Sequence, residues 1–185
     1  MKYLVLSLIL SSFNALAADC NYSVTESKVM WTAFKTPQKV GVNGGFTKFN
    51  LTTSAAKDKV ELIKKATFNI DTTSINTGNP GRDNTIRNNF FTSKKKPMTI
   101  KGHVISATQE ATTALIEIDG TKKEVVFKNT ITDDKLLLEG SIDVLDFKLN
   151  SNFNALHKAC KALHEGKTWT DVNISIEASL KSQCK

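Results

Sequence analysis

The side chains equipped for chemistry are few. His157, Cys160 and His164 recur at i, i+3 and i+7, on one side of a helical stretch. That spacing can set three ligands around zinc or copper. No fourth ligand is evident, and two solvated imidazoles flanking a half-buried or bridged thiol account for the pattern more simply, so no metal is expected. His103 stands on the polar face of a strand with no Ser or Cys motif beside it. Arg82-Asp83 places an acid next to a base, but a salt bridge or a helix cap is the more ordinary account. There is no nucleophile elbow, no P-loop and no dinucleotide fingerprint. The expectation is a protein that is not an enzyme.

The apolar inventory says more. Phe34, Phe46, Phe49, Phe68, Phe90, Phe91, Phe127, Phe147 and Phe153 far outweigh the two Trp and two Tyr. Phenylalanine offers no hydrogen bond, so these rings build walls rather than polar handles. Composition leaves open whether the walls enclose a packed core or a cavity.

Strands must position those rings. Val60, Leu62, Ala66, Phe68 and Ile70 alternate with polar residues, as do Met98, Ile100, Gly102 and Val104, and Val172, Ile174, Ile176, Ala178 and Leu180. Weaker strands are expected over Tyr22–Phe34, Gly44–Thr52, Thr112–Asp119, Lys123–Ile131 and Leu136–Leu149, with Gly44-Gly45, Asp119-Gly120 and Asp133-Asp134 as turns. Eight such strands make an all-β fold, an antiparallel barrel able to hold one small ligand. A helix over Asn152–Gly166, carried by Leu156, Ala159 and Leu163, precedes the last strand.

One stretch breaks the strand rhythm. From Ile70 to Pro97 the chain passes a Thr/Ser-rich turn, Gly78-Asn79-Pro80-Gly81, a short helix through Arg87, Phe90-Phe91 and a Lys triplet. Connections of this length in compact domains are usually functional or disordered. Ile75, Ile86, Phe90 and Phe91 argue for order, as a lid. The string Ile70-Asp71-Thr72, Ser74-Ile75, Thr77-Gly78-Asn79, Arg82-Asp83, Phe90-Phe91, Lys95 and Pro97 resembles the signature of the YceI-like family. Gly44-Gly45-Phe46-Thr47-Lys48-Phe49 and Gly120-Thr121-Lys122-Lys123 with Val125-Val126-Phe127 extend the likeness. The resemblance implies a lipocalin-like barrel that holds a polyisoprenoid or similar long-chain lipid in the bacterial periplasm, with no cofactor and a possible homodimer. It implies a wall and lid of Phe46, Phe49, Phe68, Ile70, Ile75, Ile86, Phe90, Phe91, Met98 and Ile100, with Trp31 and Phe34 as further candidates. Arg82, Arg87, Lys94, Lys95 and Lys96 are candidates to meet an anionic headgroup; a solvated rim is the alternative. Lys96 and Thr85 depart from the family pattern, where an aromatic and a His are common. The rival to lipid carriage is a secreted stress or adaptor protein with a packed barrel.

The first residues, MKYLVLSLILSSFNALAA, read as a secretory signal peptide over 1–18, which leaves a single barrel domain over 19–185. No later segment is apolar enough to span a membrane. The net charge of +7 comes from scattered Lys without an aromatic-basic motif, so no nucleic-acid partner is expected. Export to an oxidising compartment permits one disulfide among Cys20, Cys160 and Cys184. In an antiparallel closure the start of the first strand lies beside the end of the last. That geometry favours Cys20 with Cys184; Cys20 with Cys160 is the alternative.

Overall fold

The structure, a computed structural model, describes residues 20–92 and 96–184. The expected signal peptide, Lys94 and Lys95 lie outside the described residues. The first strand, β1 (Cys20–Lys35), is long and pairs along its length with the last, β10 (Thr168–Cys184), from Cys20 opposite Cys184 to Lys35 opposite Thr168. Between them come β2 (Val40–Phe46), β3 (Phe49–Thr52), β4 (Thr67–Asp71), β5 (Ile75–Asn76), β6 (Thr99–Ala107), β7 (Ala111–Ile118), β8 (Thr121–Ile131) and β9 (Lys135–Asp143). All pairings are antiparallel, in the order β3-β4-β6-β7-β8-β9-β10-β1-β2-β5.

The described residues form ten strands rather than eight because two strands are bent. A bend at Thr47 and Lys48 divides β2 from β3, and a 3-10 turn over Thr72–Ser74 divides β4 from β5. The ladder runs on through both bends: the Thr47 N–H donates to the Ser74 carbonyl at 3.0 Å and the Asp71 N–H to the Lys48 carbonyl at 3.1 Å. The edge strands are therefore the bent ends of inner strands, and the curled sheet returns on itself. This is the expected lipocalin-like architecture. The Asp71 side chain fixes one bend, accepting from the Thr73 N–H and hydroxyl at 2.9 and 2.6 Å.

Four local expectations fail for readable reasons. Gly44 and Gly45, expected as a turn, lie within β2, paired with Trp31 and Met30. Val60 and Leu62 belong not to a strand but to a one-and-a-half-turn helix, α1 (Lys59–Lys64). Asp58 caps it, accepting from the Glu61 N–H at 2.8 Å, an N-cap carboxylate with a Glu three residues on. Its adjacent Leu62 and Ile63 plug one end of the barrel against Ala56, Ala107, Ala178 and Leu180. The strand expected to run to Leu149 stops at Asp143, whose side chain accepts from the Leu145 N–H and starts a 3-10 turn over Val144–Phe147. At the other end of the barrel, the helix expected over Asn152–Gly166 is α3 (Asn150–Cys160), followed by a tighter turn through His164.

Two inward aromatic rings lie over glycines on neighbouring strands. Trp31 pairs with Gly44, where an added Cβ would meet the indole at 2.3 Å. Phe68 pairs with Gly102, where a Cβ would stand 2.5 Å from the ring and 2.6 Å from the Leu115 carbonyl. The missing side chains let bulky rings lie flat along the wall. Gly102→Ala should therefore lower stability by about 1–3 kcal/mol in chemical denaturation. Gly81→Ala, whose Cβ meets nothing closer than 3.4 Å, should leave the midpoint unchanged or slightly raised.

The Cys20–Cys184 disulfide joins the first strand to the last across 164 residues, and Cys160 is free and buried. Reduction should cost about 2–4 kcal/mol of unfolding free energy. A Cys20→Ser, Cys184→Ser protein should start from that lower value and not respond to reductant.

Candidate functional site

The barrel interior opposite the α1 plug contains an apolar cavity of about 180 Å³. Alternation along the strands turns Val29, Trp31 and Ala33 of β1 inward, together with Ile116 and Ile118 of β7 and Val172, Ile174 and Ile176 of β10. Phe46, Phe49, Phe68 and Phe127 add rings from four further strands. Trp31 brings one polar atom to this wall: its buried Nε1 has no hydrogen-bond partner among the described residues.

A lid closes the cavity. Asn79 caps α2 (Pro80–Ile86), its side chain accepting from the Arg82 N–H at 3.0 Å, and Pro80 supplies the fixed φ of the first turn. The helix then widens into a five-residue π turn, Arg87–Phe91, closed by the Thr92 N–H donating to the Arg87 carbonyl at 2.9 Å. Such widening often occurs at functional sites. Here it sends two successive rings toward the cavity. Phe90 and Phe91 meet edge to face at 5.2 Å, and Phe91 meets Phe46 at 5.6 Å. The lid is tied to α3 by Asn152, 2% exposed, whose Nδ2 donates to the Phe90 carbonyl at 2.6 Å.

Ten of the twelve residues expected as wall or lid surround the cavity: Trp31, Phe46, Phe49, Phe68, Ile70, Ile86, Phe90, Phe91, Met98 and Ile100. Phe34 does not. It is one residue out of phase with Ala33, and its ring lies under the Lys39 ammonium at 4.9 Å instead. Ile75 is buried in the adjoining core, not on the cavity surface.

The expected headgroup arginines are drawn into the lid's own structure. Arg82 donates to Thr77 through Nε (to the hydroxyl) and Nη2 (to the carbonyl), both at 2.8 Å, and Arg87 Nε donates to the Thr73 carbonyl at 3.0 Å. Asp83 accepts from the Thr77 N–H and hydroxyl at 2.9 and 2.5 Å, so its carboxylate pins the turn before the helix. Lys96 is exposed.

The profile of the YceI-like domain matches residues 21–180. The chain belongs to the YceI-like family. Among solved structures, a polyisoprenoid binding domain from Saccharophagus degradans, implicated in plant cell wall breakdown, is similar at 16% identity, covering 90% of this chain and 100% of that one with a TM-score of 0.58. Burkholderia cenocepacia BcnA is similar at 17% identity over 86% of this chain and 99% of its own, also with a TM-score of 0.58. The Campylobacter jejuni YceI protein is 25% identical over 82% of this chain and 89% of its own, with a TM-score of 0.56. No curated protein matches. No helix among the described residues is long and apolar enough to cross a membrane.

Within this YceI-like barrel, His157, Cys160 and His164 do not converge on a metal position, and no group of three such ligands is assembled among the described residues. Both imidazoles turn instead to one hydroxyl: each Nδ1 lies 3.1 Å from Thr168 Oγ1. Burial pushes the Cys160 thiol up, away from the reactive thiolate. Burial, Lys35 and His157 push His164 below the ordinary histidine range. The sequence pattern did not single out part of the later wall, including Leu149, Leu156, Thr168 and Trp169. The inward phase of Val172, Ile174 and Ile176 pointed to Thr168 four residues before, on the same face.

Asn152→Ala would leave the Phe90 carbonyl without its buried donor. Amides of residues 80–92 should then exchange with solvent roughly ten-fold faster or more, while β7 and β10 amides stay protected.

Proposed function

We propose that this YceI-like protein binds the hydrocarbon chain of an amphiphilic lipid inside the barrel and carries or stores it in the periplasm without changing it. The observation that carries this reading is the cavity: about 180 Å³, walled among the described residues by aliphatic side chains and phenylalanines, with one hydroxyl and two indoles as the exceptions. A barrel serving only as a packed scaffold would fill that space, since interiors pack to crystal-like density. The name of the Saccharophagus degradans neighbour, a polyisoprenoid binding domain, supports the lipid class. The signal-like first residues and the disulfide support an oxidising compartment.

Size refines the reading. An apolar cavity of ~150 Å³ takes one benzene, so the closed cavity has room for roughly six or seven carbons. A longer chain must displace lid or wall side chains. Phe90 and Phe91 are the movable candidates, because the lid rests on a few polar ties rather than on a strand ladder. A chain of a dozen carbons gains roughly 10 kcal/mol from burial at ~0.8 kcal/mol per CH₂, enough to offset the cost of moving two rings and ordering the chain.

Both tryptophans of the chain, Trp31 and Trp169, stand in the wall and report on occupancy. Dodecan-1-ol should change their fluorescence saturably, and affinity should rise about four-fold per CH₂ from octanol to dodecanol. Ala33→Phe, which fills part of the cavity, should abolish the response while the circular dichroism of the barrel stays the same. No saturable response in the unaltered protein at any chain length would refute the reading.

A further inference from the structure

Among the described residues of the cavity wall, Thr168 carries the only hydroxyl. It begins β10 opposite Lys35, at the rim where α3 crosses the barrel. Phe153 and Leu156 of α3 belong to the wall beside it, and His157 stacks on Phe153 at 6.3 Å with the rings nearly parallel. His164 arrives from the turn after α3. The two Nδ1 atoms hold the Thr168 oxygen between them at 3.1 Å each.

A threonine hydroxyl has one proton and two lone pairs. With both imidazoles in the Nδ1–H form, both donate to Oγ1 and fill the two lone pairs. The hydroxyl proton is then left to point at an acceptor in the cavity. The surroundings favour a negative acceptor. The Lys35 ammonium acts on both Cys160 and His164. The Lys167 ammonium lies over the Trp169 ring at 4.5 Å; Lys39, 4.9 Å from the same ring, also lies over the outward Phe34 and is paired with Asp171 at 2.8 Å, so it adds no net charge there.

We propose that Thr168, oriented by His157 and His164, is a headgroup site that donates a hydrogen bond to an anionic oxygen, a carboxylate or a phosphate, on the end of a chain threaded into the cavity. The inference rests on the lipid-binding reading above and adds the polar end of the ligand. It relocates the headgroup from the lid arginines, whose donors hold Thr77 and Thr73, to the foot of α3. Lys35 and Lys167 supply long-range attraction, and the hydroxyl supplies direction.

The test compares three probes of equal chain length at pH 7.5, each below its micellar concentration: dodecan-1-ol, dodecanoate and dodecyl phosphate. Affinities are read from tryptophan fluorescence. The unaltered protein should bind at least one anion five-fold or more tighter than the alcohol, and the anion preferred identifies the headgroup chemistry. Thr168→Val, which keeps shape and removes the hydroxyl, should erase the preference while alcohol binding stays within two-fold. The His157→Gln, His164→Gln double variant should do the same by a separate route. Lys96→Ala should change nothing. Equal affinity for all three probes in the unaltered protein, or a preference that survives Thr168→Val, overturns the headgroup site while leaving the lipid cavity intact. Failure of the alcohol itself to bind overturns both.

Discussion

The cavity exists because the first strand pairs with the last. From Cys20 opposite Cys184 to Lys35 opposite Thr168, this ladder converts a curled sheet into a barrel and removes its longest exposed edges. It is also the pairing with the greatest separation along the chain, so it carries the largest loop-closure entropy of any contact in the fold. The disulfide offsets that cost at one end, where a slip of register would start. The other end is left to side chains: Trp169 donates from Nε1 to the Thr36 carbonyl at 2.9 Å, and Lys39 pairs with Asp171. A covalent lock at one end and polar contacts at the other make a barrel with a fixed base and a softer rim. The plug helix sits at the fixed end, and the lid, α3 and the cavity lie at the soft one.

The interior shows a balance between filling and not filling. Glycines at 44 and 102 let large rings lie along the wall instead of across it. Turned inward, those rings would meet in the centre; lying flat, they leave a lined space. The lid follows a different rule. Its helix, π turn and capping residues are held by hydrogen bonds that Arg82, Arg87 and Asn152 donate to nearby backbone or hydroxyl groups, and by those the Asp83 carboxylate accepts from Thr77. These contacts fix its shape, while Phe91, with Ile86 and Phe90 beside it, anchors it on the core at the cavity wall. A lid built this way can move as a unit when a chain longer than the closed cavity enters.

Much of the barrel was legible in the sequence because period-two alternation is a direct imprint of a two-faced sheet. The inward phase of Ile100, Ile174 and Ile176 needed no more than that. What escaped depended on information the pattern does not carry. Val60 and Leu62 fit an alternating strand as well as a helix; only the Asp58 cap and Glu61 separate the two. Phe34 shares its residue type with the true wall, but a single step of phase puts it on the outside. The Thr47 and Thr72 bends preserve alternation on either side, so eight strands were visible and their division into ten was not. Arg82 and Arg87 resembled a headgroup clamp by charge, yet nearby carbonyls claim their donors. The α3 histidines had metal-like spacing, and their shared target, Thr168, becomes visible only once the start of β10 lies beside the helix.

The most direct test of lipid carriage is native mass spectrometry of residues 19–185 purified from a bacterial host, followed by organic extraction. The account predicts a discrete added mass that leaves on extraction and is recovered as a long-chain amphiphile. A bare protein mass, unchanged after incubation with polyisoprenoids and fatty acids, would contradict it and leave a barrel whose cavity serves no ligand.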